Sequence, residues 1–177
     1  MFLSCLFLLR GELAQQTYLR LLRRAKNENL SDIASKNLIY QSGTDSFGRA
    51  IVCVNGKFYN PSEVNKDRAL LYLILYMDAI ASRDYVIVYF NAEATSDNHP
   101  DLSFIREVYE SLHPKYRRNL KLFYLVHPTW WVKLAVSIMN TFFTSDVREK
   151  MRNIENLGML YQSISPQQLN IPEYVMA

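Results

Sequence analysis

The sequence predicts a single α/β domain built on a mainly parallel sheet of about five strands with crossover helices. Three observations predict it. Two continuous apolar runs, Tyr85–Phe90 and Leu120–Val126, read as strands buried on both faces, as strands of parallel sheets do. Segments with helical spacing lie between the strand candidates, and that alternation calls for β-α-β crossovers. The chain has 177 residues, 49% of them hydrophobic, and five glycines, which suits one packed core.

Residues 1–11 are expected to be an unrelated, poorly ordered leader. Met1 to Leu9 is apolar apart from Ser4. The run is short of the roughly 20 apolar residues a bilayer span needs. As a secretion signal it lacks a basic start and a small-residue cleavage site. Residues 12–34 form an N-terminal helical segment, with the helix itself over 12–26. Arg20, Arg23, Arg24 and Lys26 gather toward its end, where cations complement the helix dipole. A basic amphipathic surface helix is the alternative reading.

The main domain is expected over 35–177. Residues 38–41 and 50–54 read as strands around a turn containing Gly43 and Gly48. Asn60-Pro61-Ser62 breaks the chain. Residues 66–81 carry Leu70, Leu73, Met77 and Ile80 on one helical face. After the strand Tyr85–Phe90 and a polar loop comes a helix over 101–112, with Asp101 as its N-cap. Beyond Leu120–Val126, Pro128 opens a helix to Phe143 from a first-turn position that suits proline. Met151–Ile154 is a short strand candidate, and 164–172 close the chain irregularly.

Charge and chemistry exclude more than they select. A net charge of +3 does not call for nucleic acid as a partner. Cys53 sits in the apolar run Ile51-Val52-Cys53-Val54 and reads as a core residue. With no disulfide framework, a reducing, cytoplasmic setting is expected, and the sequon at Asn29 goes unused. The phosphate-cradling glycine loops and the G-x-S-x-G elbow are absent. His99, His113 and His127 have no metal-ligand spacing. The expectation is a binding protein: no catalytic residue, no metal and no cofactor.

Two segments carry candidate sites. Lys115, Arg117, Arg118 and Lys121 precede a buried strand, and His127 and Thr129 stand at its carboxyl end, where ligands gather in α/β sheets. The cations are either a solvated connection or an anion-seeking patch for a lipid head group or acidic partner. The second segment is the helix from Thr129 to Phe143, where Lys133 is the only charge. Trp130, Trp131, Leu134, Ile138, Met139, Phe142 and Phe143 cover most of its circumference. A helix apolar all round must be buried or face something apolar. It is either a core helix or the border of a hydrophobic cavity.

Tyr85–Phe90 followed by the block from Lys115 to Thr129, with its Lys-Tyr-Arg-Arg-Asn-Leu-Lys and Val-His-Pro-Thr runs, resembles the CRAL-TRIO family in its divergent branch. That branch includes the BCH domains of Rho GTPase-activating proteins. Leu22-Arg23-Arg24-Ala25, Ile39-Tyr40-Gln41-Ser42-Gly43, Ala69-Leu70-Leu71-Tyr72 and Ile164-Ser165-Pro166-Gln167-Gln168 extend the resemblance over about 15–177. The resemblance implies a sheet floor with a cavity under a mobile helix, matched here to 129–143. It implies a hydrophobic lipid or acidic phospholipid as ligand, with peripheral membrane contact. The BCH relatives imply the alternative of a protein-interaction scaffold for small GTPases and their regulators, or homodimerisation. Two departures stand out: the helical bundle before the domain is reduced to one helix, and the chain stops early at Ala177. An incompletely closed cavity is expected from them. No macro domain is expected within these 177 residues, so ADP-ribose binding is not carried over.

Overall fold

The computed structural model describes the backbone of residues 2–176 and the side chains of 11–95 and 97–176. Five strands form one sheet in the order β1 (Ile39–Thr44), β2 (Ala50–Asn55), β3 (Tyr85–Phe90), β4 (Leu120–Val126) and β5 (Met151–Ile154). β1 runs antiparallel to β2, and every other pair is parallel. The β1–β2 turn is fixed by Asp45, whose carboxylate accepts from the backbone N–H of Phe47 and Arg49, both at 3.0 Å. Gly48 supplies the positive φ of 73° that this turn needs.

Alternation along the strands sends side chains to two cores. On one face Val52, Tyr85 and Leu120 pack under α1 (Phe2–Asn27), α2 (Ser31–Ala34), α3 (Lys66–Met77) and α4 (Leu102–Ser111). On the other, Ile51, Cys53, Val86, Val88 and Phe90 pack against Leu160, Ile164 and Val175. These come from α8 (Leu157–Tyr161), the turn after it and α9 (Glu173–Met176). Val88 and Phe90 are fully buried. Each such side chain contributes about 1.5–3 kcal/mol through the apolar area it removes from water.

Several helix limits differ from the sequence expectation, for local reasons. α1 begins at Phe2, well before residue 12. The expectation about the leader falls on residues 1–10, whose side chains lie outside the described residues. α3 ends at Met77, and Ile80–Ser82 forms a separate 3-10 turn. The basic stretch is not a connection but a short helix, α5 (Pro114–Asn119), capped by His113 Nδ1 on the N–H of Lys115 at 3.1 Å. The helix expected from Pro128 to Phe143 is α6 (Trp130–Met139). Thr129 caps it, so Pro128 lies outside its first turn. Thr144 starts the next short helix, α7 (Ser145–Glu149). Asp101 caps α4 as expected, accepting from Phe104 N at 2.7 Å.

Candidate functional site

α6 follows β4 directly and returns alongside the sheet to reach β5 at the sheet's edge. Val132 and Met139 are its buried anchors. The opposite side faces solvent: Trp130 is 74% exposed, Trp131, Leu134 and Ile138 lie between 39% and 42%, and Phe142 just past the helix is 44% exposed. Of the two expectations for this helix, that of a fully buried core helix is corrected. An edge position gives α6 one packed side only, and α4 is its neighbour there. Trp130 and Trp131 pack edge to face at 5.8 Å between ring centroids. The Phe143 ring packs tilted against Tyr109, with centroids 5.0 Å apart, and Phe142 lies under the Arg106 guanidinium at 4.7 Å.

The cavity is elsewhere. It measures about 240 Å³ and lies over the face of β1, β2 and β3 that α2, α3 and α4 cover. Its wall includes Val54, Tyr59, Ala69, Leu73, Tyr89, Phe104 and Val108. None of Trp130, Trp131, Leu134, Ile138, Met139, Phe142 and Phe143 lines it. The physical reason is that α4, not α6, sits over the strands that form the cavity floor. Its volume falls below the roughly 300–1,000 Å³ of typical ligand pockets. Among the described residues, no group of three or more His, Cys, Asp or Glu could hold a metal ion.

Sequence reasoning missed Tyr59. Its ring stacks on Phe104, with centroids 6.4 Å apart, and its buried hydroxyl has no hydrogen-bond partner. Burial, and then the nearby Asp101 carboxylate, push the phenol above its ordinary pKa. Burial likewise pushes Tyr89 up to about 12. No spacing marks Tyr59 in the sequence, because the wall converges from six separate segments.

The four cations do not act as one group. Lys115 Nζ donates to Asp78 Oδ1 at 2.6 Å and to the Asp78 carbonyl at 2.7 Å, with its side chain only 16% exposed. Arg117 lies over the Tyr109 ring at 5.0 Å. Lys121 pairs with Asp84 at 3.2 Å. Arg118 is exposed and donates to Asn119 Oδ1 at 3.4 Å. His127 and Thr129 do stand together at the carboxyl end of β4. His127 adopts a positive φ of 53°, gives its N–H to the Ile154 carbonyl at 2.8 Å, and accepts from Asn91 Nδ2 at 3.2 Å. Thr129 Oγ1 accepts from Val132 N at 3.4 Å. Both side chains belong to the turn that launches α6.

Comparison with known proteins follows this geometry. Residues 48–177 match the family profile of the divergent CRAL/TRIO domain. A Nematostella vectensis protein, "Protein GDAP2 homolog", is 41% identical over 162 residues, which is 92% of this chain and 32% of that one. Human ganglioside-induced differentiation-associated protein 2 is 40% identical over 162 residues, 92% of this chain and 33% of its own. The chain thus spans about a third of the length of these curated relatives. Among solved structures, that of Sfh5 superposes with a TM-score of 0.64 at 16% identity, over 88% of this chain and 60% of the other. That likeness concerns the fold alone. The extent of the family match and the identity of the relatives agree: the chain belongs to the divergent CRAL/TRIO domain family.

Proposed function

We propose that the chain is a non-catalytic binding module that holds a hydrophobic lipid, with α6 as the element that meets it. The exposed side of α6 carries the reading. Four large apolar side chains on one short helix, Trp130, Trp131, Leu134 and Ile138, are exposed by 39% or more, and Phe142 just beyond its end is 44% exposed. Contiguous apolar surface of this kind marks a lipid or protein contact, because water penalises leaving it bare. The cavity under α3 and α4 adds a separate apolar site. No helix among the described residues is long and apolar enough to cross a membrane. The contact would then be peripheral, in the manner of an interfacial helix.

Head-group recognition by the cation patch has less support, since Lys115 is already paired with Asp78. Flotation with phosphatidylcholine vesicles, with and without phosphatidylserine, tests the reading. Binding should weaken strongly in a Trp130→Ala/Leu134→Asp variant and change little when phosphatidylserine is added. Undiminished vesicle binding in that variant would remove α6 from the reading. Loss of binding to a Rho-family GTPase, with vesicle binding untouched, would favour the scaffold function instead.

A further inference from the structure

A second cleft, polar where the first is apolar, lies between α1, α3 and α4 and measures about 410 Å³. Leu70, 3% exposed, lines both spaces and stands between them. With Leu21 it gives the polar cleft an apolar wall. A charged ligand can therefore occupy this cleft without entering the apolar cavity.

The polar side chains of the cleft are of two kinds. Arg24 is committed: its guanidinium reaches both carboxylate oxygens of Asp67, at 3.1 and 2.6 Å, and Glu28 at 3.1 Å. Beside that pair, Arg20 and Glu107 are exposed and have no hydrogen-bond or ion-pair partner among the described residues. The half-buried Thr17 and Ser111 hydroxyls are unbonded in the same way. Thr17 and Arg20 stand one turn apart on α1, and Glu107 and Ser111 one turn apart on α4, spacings that put each pair on one helix face. Each helix thus offers the cleft a hydroxyl and a charge, cationic on α1 and anionic on α4. The two helices touch, yet these opposite charges do not close on each other.

We propose that the cleft binds a small zwitterion of the amino-acid class, with its carboxylate on Arg20 and Thr17 and its ammonium on Glu107 and Ser111. A guanidinium and a hydroxyl donate to a carboxylate, and a carboxylate and a hydroxyl accept from an ammonium. Both charged ends stay close to water, so the desolvation cost that bars ions from an apolar interior is small here. An apolar side chain on the ligand has Leu21 and Leu70 to lie against. The volume falls within the roughly 300–1,000 Å³ of ligand pockets. The site is separate from α6 and does not depend on the lipid reading.

Three probes of similar shape separate the two charges: leucine carries both, isocaproate keeps only the carboxylate, and isoamylamine keeps only the ammonium. Each is titrated into the full chain without lipid. Binding is read from the methyl NMR signals of Leu21 and Leu70, with Leu160 on the other face of the sheet as reference. Leucine should bind, and Arg20→Gln and Glu107→Gln should each weaken it about three- to tenfold, the worth of one solvent-exposed charged contact. Isocaproate should lose affinity only in Arg20→Gln, and isoamylamine only in Glu107→Gln. Arg83→Gln removes an exposed cation outside the cleft and should change nothing. A loss in Arg83→Gln equal to that in Arg20→Gln, or equal responses of isocaproate to both cleft variants, would overturn the assignment of the charges. Failure of leucine to shift Leu21 and Leu70 at ~10 mM, above the millimolar Kd that a few exposed contacts support, would overturn the site. Vesicle flotation tests α6 separately, so either reading can fail alone.

Discussion

Lys115 and Asp78 form the tightest link between the basic helix α5 and the end of α3, with Nζ 2.6 Å from Oδ1. Tyr18 of α1 donates to the same carboxylate oxygen at 2.5 Å and contacts the Tyr116 hydroxyl at 3.1 Å. Three helices therefore converge on one carboxylate. Lys115→Met should lower stability by about 1–2 kcal/mol, discounted because both ionic side chains keep some water contact. Arg118→Ala should change it by less than about 0.5 kcal/mol. Paired thermal melts check this. Equal shifts for the two variants would show that the pair has no structural weight.

The same carboxylate gives a pH dependence with a definite sign. Burial alone would raise the pKa of Asp78, but hydrogen bonds from Lys115 and Tyr18 outweigh it and hold the group below its ordinary value. Asp101 is held lower still by Lys66, helped by Ser103 and the α4 N–H of Phe104. Both carboxylates have folded pKa values below their unfolded ones. Their stabilisation is full above the unfolded value, near pH 4, and is lost as pH falls through the folded values. Denaturant midpoints should be flat on this account from about pH 5 to 7 and fall below about pH 4. Asp78→Asn should flatten part of that acid slope, and an unchanged slope would count against this origin.

Much of this fold is legible in the sequence because burial writes itself into strands. Tyr85–Phe90 and Leu120–Val126 are continuous apolar runs, and both strands have those limits in the structure. The cap Asp101 also follows from residue type and position. Lys115 does not: a cation in a charged run looks solvated, and only tertiary approach to Asp78 reveals otherwise. The cavity is hidden for the same reason. Tyr59, Tyr89 and Val108 are far apart in the chain and meet only when α4 crosses the sheet. The all-apolar pattern of α6 likewise cannot distinguish burial from an exposed contact face. The edge position of β5 decides that.

Two glycines mark close approaches that a side chain would disturb. A Cβ on Gly43 would meet the Gln168 carbonyl oxygen at 2.6 Å, where the C-terminal segment crosses the edge of β1. One on Gly56 would meet the Tyr89 hydroxyl at 2.5 Å and the Phe90 carbonyl at 3.0 Å. Gly43→Ala should cost about 1–3 kcal/mol, because backbone must move to relieve the overlap. It should also speed amide exchange in 165–171 relative to β3, since Ser42 and Tyr40 hold that segment by hydrogen bonds. Exchange mass spectrometry reads both regions in one experiment. Protection of 165–171 unchanged in Gly43→Ala would contradict the crossing as described.

Met139 at the end of α6 and Phe142 just beyond it predict opposite responses to truncation. Met139 is 2% exposed and helps to anchor the helix, whereas Phe142 is 44% exposed with its ring under Arg106. Met139→Ala opens space in a packed layer and should cost about 2–5 kcal/mol. Phe142→Ala removes mostly solvated surface and a surface cation–π contact, so about 0.5–1.5 kcal/mol is expected. For a domain of this size the first change should lower Tm by roughly 2–4 °C per kcal/mol. If lipid lies on the exposed side, added vesicles should raise the Tm of the native chain and raise that of Phe142→Ala by less, since a bound ligand stabilises the folded state in proportion to its affinity. The same increment in both would place Phe142 outside the contact. A large loss of stability in Phe142→Ala without lipid would mean that its ring is packed inside the fold, against the exposed face on which the proposed function rests.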